Sequence, residues 1–478
     1  MDPLTVVDEI FLRTHRGMGT PIALQGLWRT PDAMKPVLLQ EIHHRLRLGQ
    51  LGRRVVNPRV PGARRTWHPN TNAHPLDLLP NHAETDWPAT PVGDHEFGPL
   101  PEHAILAWAD TLGTDLDPEY GPGWRLSAAR LEDGGTVVAL TCSHALADAR
   151  GLIHAVTAAL RSLEPDSTGE SPMEAVSAGP PHTHPTPTVE IRDGAASSEW
   201  ADAASQWLTI FGGTAKALHR KLPRPLARRT WDKPSDVPRE PGPVSGGTSA
   251  DTPPLSTAQH PRSLRADTTE RHLRPILLTF DAAHWDATAI TLGGTANSLF
   301  IHLVANILWH SGFPNPTITA SLPVDTRDEP RVDNDLAMTE IAVQHHDTPA
   351  AIRDKAKAAY QRRISSPAGL PEEILQVVPD RLAYILSKGA GERDILCSNI
   401  GPLPDTVRRI GPHDCTRVAA RAIHPGITTF PRTQLAGYLS RLDSTYTLAL
   451  VGLAADNDFL TEAIEKSCAA MGLISHPW

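Results

Sequence analysis

"TCSHALADARGL", residues 141–152, joins the end of an apolar run to the start of a helical pattern. Upstream, "WRLSAARLEDGGTVVALTCS" (124–143) reads as two strands joined by "EDGG", because Gly134 and Gly135 tolerate the positive φ of a tight hairpin while Thr136 to Ala139 favour extended backbone. Downstream, Leu152, Val156, Ala159 and Leu163 form one apolar stripe, so a helix is expected until Pro165 stops it. His144 therefore falls at a strand-to-helix junction, where a side chain projects from a rigid sheet into a neighbouring cleft.

An imidazole in that place suits general-base chemistry, since an unperturbed pKa of about 6.5 leaves a usable neutral fraction near neutral pH. Asp148, four residues on, has two readings: it orients the imidazole, or it anchors the next helix by pairing with an arginine. The His-x-x-x-Asp spacing alone does not choose, because a chain with 23 His and 54 acidic residues contains such pairs by chance. The small residues Ser143, Ala145, Ala147, Ala149 and Gly151 leave room for a narrow substrate beside the ring. The pairs His43–His44 and His345–His346 lie in polar surroundings and are expected to be solvated. "HTHP" (182–185) lacks third and fourth ligands at proper spacing, so no metal site is expected. Neither a Gly-rich phosphate loop nor a G-x-S-x-G elbow occurs.

Outside the junction, the 478 residues are too many for one ordinary core and suggest two domains of roughly 150 to 200 residues. A net charge of −9 argues against nucleic acid as the main partner. Cys142, Cys397, Cys415 and Cys468 are scattered without disulfide or metal spacing, as suits reduced thiols. The opening "MDPLTVVDEIFLRTHRG" has no secretory pattern and no stretch nears about 18 uninterrupted apolar residues, so a cytoplasmic protein is expected, with a peripheral membrane contact left open.

"TPDAMKPVLLQEIHHRL" (30–46) carries Leu39, Ile42 and Leu46 at helical spacing. Residues 166–272 are rich in Pro, Gly, Ser and Thr and read as a crossover linker with one helical stretch, 198–222, followed by the basic run 219–229. The remainder offers a strand at 274–280, an Asp281-capped helix, a strongly apolar helix at 295–312, a strand at 317–325, "RDILCSNIGPLP" (393–404), and a closing hairpin and helix over 438–471. In "TANSL", Asn297 reads as satisfying backbone near a helix start. The order is α+β in both halves: a first lobe at 1–165 carrying the HxxxD motif, the linker at 166–272, and a second lobe at 273–478.

With these residues in view the sequence resembles the CoA-dependent acyltransferase superfamily, which holds chloramphenicol acetyltransferase, nonribosomal peptide condensation domains, polyketide-associated acyltransferases and bacterial wax ester synthase/diacylglycerol acyltransferases. "SHALADARG" matches the signature H-H-x-x-x-D-G at its second His (His144) and its Asp (Asp148). "PLTVVDEIFLRTHRG" looks like the family's opening strand, and "GGTANSLFIHLVANIL", "SLPVDTRD" with "DNDLAMTEIAV", and "CSNIGPLP" look like its later landmarks in order. Ser143 stands in place of the first His, and Ala149 in place of the signature glycine.

The resemblance implies two chloramphenicol-acetyltransferase-like α/β sandwich lobes with a tunnel at their interface. It implies that His144 takes a proton from an acceptor hydroxyl or amine, in lipid or natural-product biosynthesis, while acyl-CoA or an acyl carrier protein brings the donor thioester; no other cofactor is expected. Asp148 is expected to pair with Arg327 across the lobes. Backbone amides near Gly151, or the polar groups of Ser398 and Asn399, are the expected oxyanion donors or substrate contacts. The competing class is a catalytically degenerate relative that binds acyl groups or carrier proteins as a scaffold; a zinc protein built on the histidine clusters is a third.

Overall fold

In the computed structural model the first element is a helix where the resemblance led us to expect a strand. Thr5 Oγ accepts from the Asp8 amide at 3.0 Å and Asp8 Oδ2 accepts from the Thr5 amide at 2.9 Å, a reciprocal cap that starts α1 (Val6–His15) in spite of the β-branched Val6 and Val7. The structure describes residues 2–79 apart from 19, 99–163, 199–209, 273, 275–361, 376, 379–381, 392–427, 431–453 and 460–478.

The first half continues with β1 (Ala23–Thr30), α2 (Pro36–Leu48), β2 (Arg53–Val56), β3 (Thr66–Pro69), β4 (Asp77–Leu79), α3 (Ile105–Thr111), β5 (Trp124–Arg130), β6 (Thr136–Ser143) and α4 (Ala149–Arg161). Proline at its first turn starts α2, which buries Leu39, Ile42 and Leu46. β5 and β6 form the antiparallel hairpin, and of the two turn glycines only Gly134 takes a positive φ, 87°. α4 begins two residues before Gly151, because Asp148 caps it.

Within 166–272 only 199–209 are described. They form a helix, α5, whose Glu199 accepts from the amides of Arg59 and Val60 and whose Asp202 pairs with Arg64. "HTHP" and the basic run 219–229 lie outside the described residues.

The second half holds β7 (Pro275–Asp281), α6 (Ala282–Thr291), α7 (Ala296–His310), β8 (Thr317–Asp325), β9 (Leu336–Gln344), α8 (Pro349–Gln361), β10 (Ile395–Pro402), β11 (Arg409–Ile410), β12 (His413–Asp414), β13 (Arg417–Ile423), β14 (Leu435–Leu442), β15 (Thr445–Gly452), α9 (Leu460–Met471) and β16 (His476–Pro477). Asp281 caps α6, accepting from the His284 amide at 2.7 Å. A seven-stranded sheet in the order β16-β7-β15-β14-β10-β8-β9 packs on α7, whose Leu299, Phe300, Ile301, Leu303 and Val304 are completely buried. No single described helix is long and apolar enough to cross a membrane.

β13 leaves this half. It pairs antiparallel with β1, completing a five-stranded sheet in the order β13-β1-β6-β5-β4. The first sheet thus contains a strand drawn from the second half, and its core cluster takes in Val418, Ala419 and Ala422 of that strand together with Tyr438 and Val451. This exchange ties the α+β lobes together and sets the surface from which His144 projects.

Candidate functional site

The register of the first sheet decides which way the motif points. Ser143 pairs with Ala23, and Ala23 with Ile423. Residues directly opposite share a face and successive residues alternate, so His144 faces the other way from Ser143. The His144 amide donates to the Ile22 carbonyl at 3.2 Å, which carries the ladder one residue past the end of β6. The same register continued by one residue brings His424 beside Ile22. Ile22, His144 and His424 all line one large cavity of about 1490 Å³, whereas Ser143 stands opposite Ala23 on the other face and is not part of that lining. Ser143 has only 3% of its surface exposed, and its Oγ accepts from the Ala145 amide at 3.4 Å.

Asn334, in the β8–β9 connection, fixes the imidazole. Its Nδ2 donates to Asp8 Oδ1 at 2.8 Å and to the His144 carbonyl at 2.9 Å, so Oδ1 is the atom 3.1 Å from His144 Nδ1. That oxygen can only accept. Nδ1 therefore carries the proton, and Nε2 is left with its lone pair free. Phe11 stacks on the ring with centroids 3.6 Å apart, which holds its plane. Burial lowers the His144 pKa from its ordinary value, opposed by the Asp148 charge and the bond to Asn334, and so favours the neutral base.

Asp8 is the foundation of this arrangement. It is completely buried and accepts from the side-chain and backbone nitrogens of Asn334 as well as from Thr5. Burial pushes its carboxyl up to about 6 against the pull of Arg53 and these hydrogen bonds.

Asp148 and Arg327 meet across the lobes: Nη2 of Arg327 lies 2.6 Å from Oδ2, and the two side chains are 7% and 6% exposed. Oδ1 of Asp148 accepts from the Gly151 amide at 2.8 Å. This corrects the expectation that the Gly151 amide is an oxyanion donor, since capping α4 already uses it. Gly151 is glycine for space, because a Cβ there would stand 2.2 Å from the Val332 carbonyl oxygen. Ala149 sits in the first turn of α4 without positive φ, so its departure from the signature costs the backbone nothing.

Ser398 and Asn399 on β10 both border the cavity from the second half. Asn399 Nδ2 donates to Asn297 Oδ1 at 2.9 Å, and Asn297 Nδ2 to the Tyr360 hydroxyl at 3.0 Å. Asn297 thus serves a side-chain ladder, while Thr295 makes the helix cap. The sequence reading missed Asn334, Phe11 and His424 as site residues. For Asn334 the signal was present in the landmark "DNDLAMTEIAV"; for His424 it lay in a strand crossing that no local pattern announces.

No family model and no curated protein matches the sequence. Solved structures do match it. Wax ester synthase/diacylglycerol acyltransferase from Marinobacter aquaeolei VT8 is similar over 98% of both chains at 14% identity and a TM-score of 0.50. A mutant starter condensation domain of rhizomide synthetase RzmA in complex with C8-CoA matches 98% of this chain and 94% of its own at 12% identity and a TM-score of 0.53. The nonribosomal peptide synthetase FmoA3, bound to alpha-methyl-L-serine-AMP, matches 98% of this chain and 44% of its own at 15% identity and 0.52. The fold is that of these solved acyltransferase and condensation-domain structures. Within this fold the cavity lies between the halves, with Phe11 and His144 on one side and Ser398 and Asn334 on the other.

Proposed function

We propose that the protein is an acyltransferase that moves an acyl group from a CoA or carrier-protein thioester to an acceptor hydroxyl or amine, with His144 as general base. One observation carries the reading: an imidazole locked with its proton on Nδ1 presents a free Nε2 to a cavity shared by both lobes. As the acceptor oxygen or nitrogen bonds to the thioester carbonyl carbon, its proton passes to Nε2. When the tetrahedral intermediate collapses, the C–S bond breaks and the proton leaves with the thiolate as free thiol. Holding donor and acceptor in one cavity removes much of the entropic barrier to their encounter.

Asp148 and Arg327 act on the frame, joining the cap of α4 to the β8–β9 connection that presents Asn334. Ser398, on the cavity-lining strand β10, is the group we assign to the developing oxyanion.

The test is thiol release and product mass with a panel of acyl-CoAs, alcohols and amines. His144→Ala is expected to stay folded and lose roughly 10² to 10⁴-fold in rate. Asp148→Asn is expected to lose stability, by less than the roughly 3–5 kcal/mol of a wholly stranded buried charge, because Arg327 Nη2 loses its carboxylate while Nη1 keeps Asp325. Undiminished transfer by His144→Ala removes the assigned base; equal losses of melting temperature in both variants overturn the division of roles. Acyl binding without transfer, indifferent to His144→Ala, supports the scaffold reading instead.

A further inference from the structure

One face of the five-stranded sheet leads from the base into an apolar dead end. Along β1, Ile22, Leu24, Gly26 and Trp28 alternate onto the face that carries His144, and β13 sets Ala422 opposite Leu24, Ala420 opposite Gly26 and Val418 opposite Trp28. All of these residues border the cavity. Two alanines and a glycine fill the middle rows, which leaves a trough in the sheet surface. Gln25 and Arg421, which also border the cavity, alternate onto the other face and bind each other there at 2.7 Å.

α4 runs the length of this trough. It starts beside His144 and packs on the short turn Asp405–Arg408, with Leu152, Ile153 and Val156 bordering the cavity between. The Val407 carbonyl of that turn accepts from Trp28 Nε1 at 3.2 Å, so helix, turn and indole meet at the far end. Trp28 closes it. A Cβ on Gly26 would stand 2.6 Å from Cη2 of Trp28, which means that the indole is folded back over Gly26 and ends the trough in that row. From Ile22 to Gly26 the strand advances about 14 Å. With C–C bonds of about 1.5 Å, an extended alkyl chain needs roughly ten carbons to cover that length.

We propose that the trough takes the acyl chain of the donor, that this chain is unbranched and of medium length, and that Trp28 is the residue that sets the length. This rests on the acyltransferase reading and names its donor class. The chain belongs to the donor because β10 carries both Ser398, assigned to the carbonyl oxygen, and Ile400, which borders the cavity two residues further on. A thioester whose oxygen meets Ser398 therefore continues along apolar wall. Trp28 is a specificity residue and takes no part in proton transfer.

The experiment compares kcat/KM for a series from butanoyl- to hexadecanoyl-CoA with the acceptor held fixed, and then for alkanols of the same lengths with the donor held fixed. For the wild type, kcat/KM is expected to rise by about fourfold per methylene of the donor up to roughly decanoyl-CoA and to fall for hexadecanoyl-CoA. Trp28→Ala opens the far end and is expected to reverse the preference for decanoyl- over hexadecanoyl-CoA. Ala420→Leu, at a half-buried position of an edge strand, puts a side chain into the row of Gly26; it is expected to lower the decanoyl-to-hexanoyl ratio by about tenfold. If Trp28→Ala fails to fold, Ala420→Leu decides alone. Calorimetric titration of the same acyl-CoAs into wild type and variants reads the trough without turnover. Should nothing be acylated while the binding constants follow donor length and shift in the variants, the transfer reading fails and the trough stands. A flat profile with donor length, a wild-type preference for hexadecanoyl-CoA, an optimum unmoved in both variants, or a length dependence that follows the alkanol in place of the donor overturns the proposal.

Discussion

The α7 face of the seven-stranded sheet and the cavity face of the five-stranded sheet are put to opposite uses. The seven-stranded sheet is sealed by α7, and Phe300, Ile301, Leu303 and Val304 have no exposure at all. The five-stranded sheet instead leaves one face along a cavity of about 1490 Å³, where Leu24 and Trp28 of β1 are wall as well as core. Close packing stabilises, and a void forfeits contacts that packing would supply. β8, β9, β10 and β14 of the seven-stranded sheet border the same cavity, so the α7 face holds stability while the cavity faces of both sheets leave apolar surface as space for a ligand.

Paired truncations sharpen that contrast. Leu303→Ala, inside the sealed core, is expected near the upper end of the roughly 2–5 kcal/mol range for buried leucine truncation, because nothing around α7 can collapse into the gap. Leu24→Ala, which only enlarges an existing cavity, is expected near the lower end. Denaturant unfolding measures both. Equal losses would show that the cavity face is packed as tightly as the α7 face.

The α7 core and the hairpin were legible because their signals are local: a helix apolar all round, and alternation broken by a glycine turn. The strand-to-helix junction was legible for the same reason, and His144 stands at it. What escaped the sequence is non-local. β13 is a short strand whose partner, β1, lies some four hundred residues earlier, and no periodicity in "RVAARAI" names that partner. Consequently His424 could not be placed beside His144. α1 was misread because the resemblance implied an opening strand there, while the reciprocal bonds between Thr5 and Asp8 decide for a helix. Backbone amides near Gly151 were expected as oxyanion donors from the family pattern, yet the amide of Gly151 itself already donates to Asp148, three residues before it.

Titration separates the cavity face from a merely structural one. His144 acts as a base only when neutral, and burial lowers its pKa, so kcat/KM is expected to hold its plateau below pH 6.5 and then to fall about tenfold per pH unit as the ring is protonated. A midpoint above 6.5 would mean that the attraction of the Asp148 charge outweighs burial of the ring. Stability carries the same sign for the histidines. For His424, lowered to about 4, the contribution is complete above the unfolded value and is lost as pH falls toward 4. Asp8, raised to about 6, acts oppositely: its contribution is present below the ordinary carboxylate value and is lost as pH rises through about 6.

The smallest expected effect is the most pointed about the motif. Ser143 stands where the signature of the family that the sequence resembles has a histidine, and on sequence grounds such a difference threatens activity. The register places this position opposite Ala23, on the face away from His144 and outside the cavity wall. Its hydroxyl accepts one long bond, 3.4 Å from the Ala145 amide. Ser143→Ala is therefore expected to cost no more than about 1 kcal/mol in unfolding free energy and to leave kcat and KM within twofold. A larger loss of rate with unchanged stability would mean that the first motif position reaches the reacting atoms through the backbone of His144, and that the two faces of the first sheet are less independent than their alternation requires.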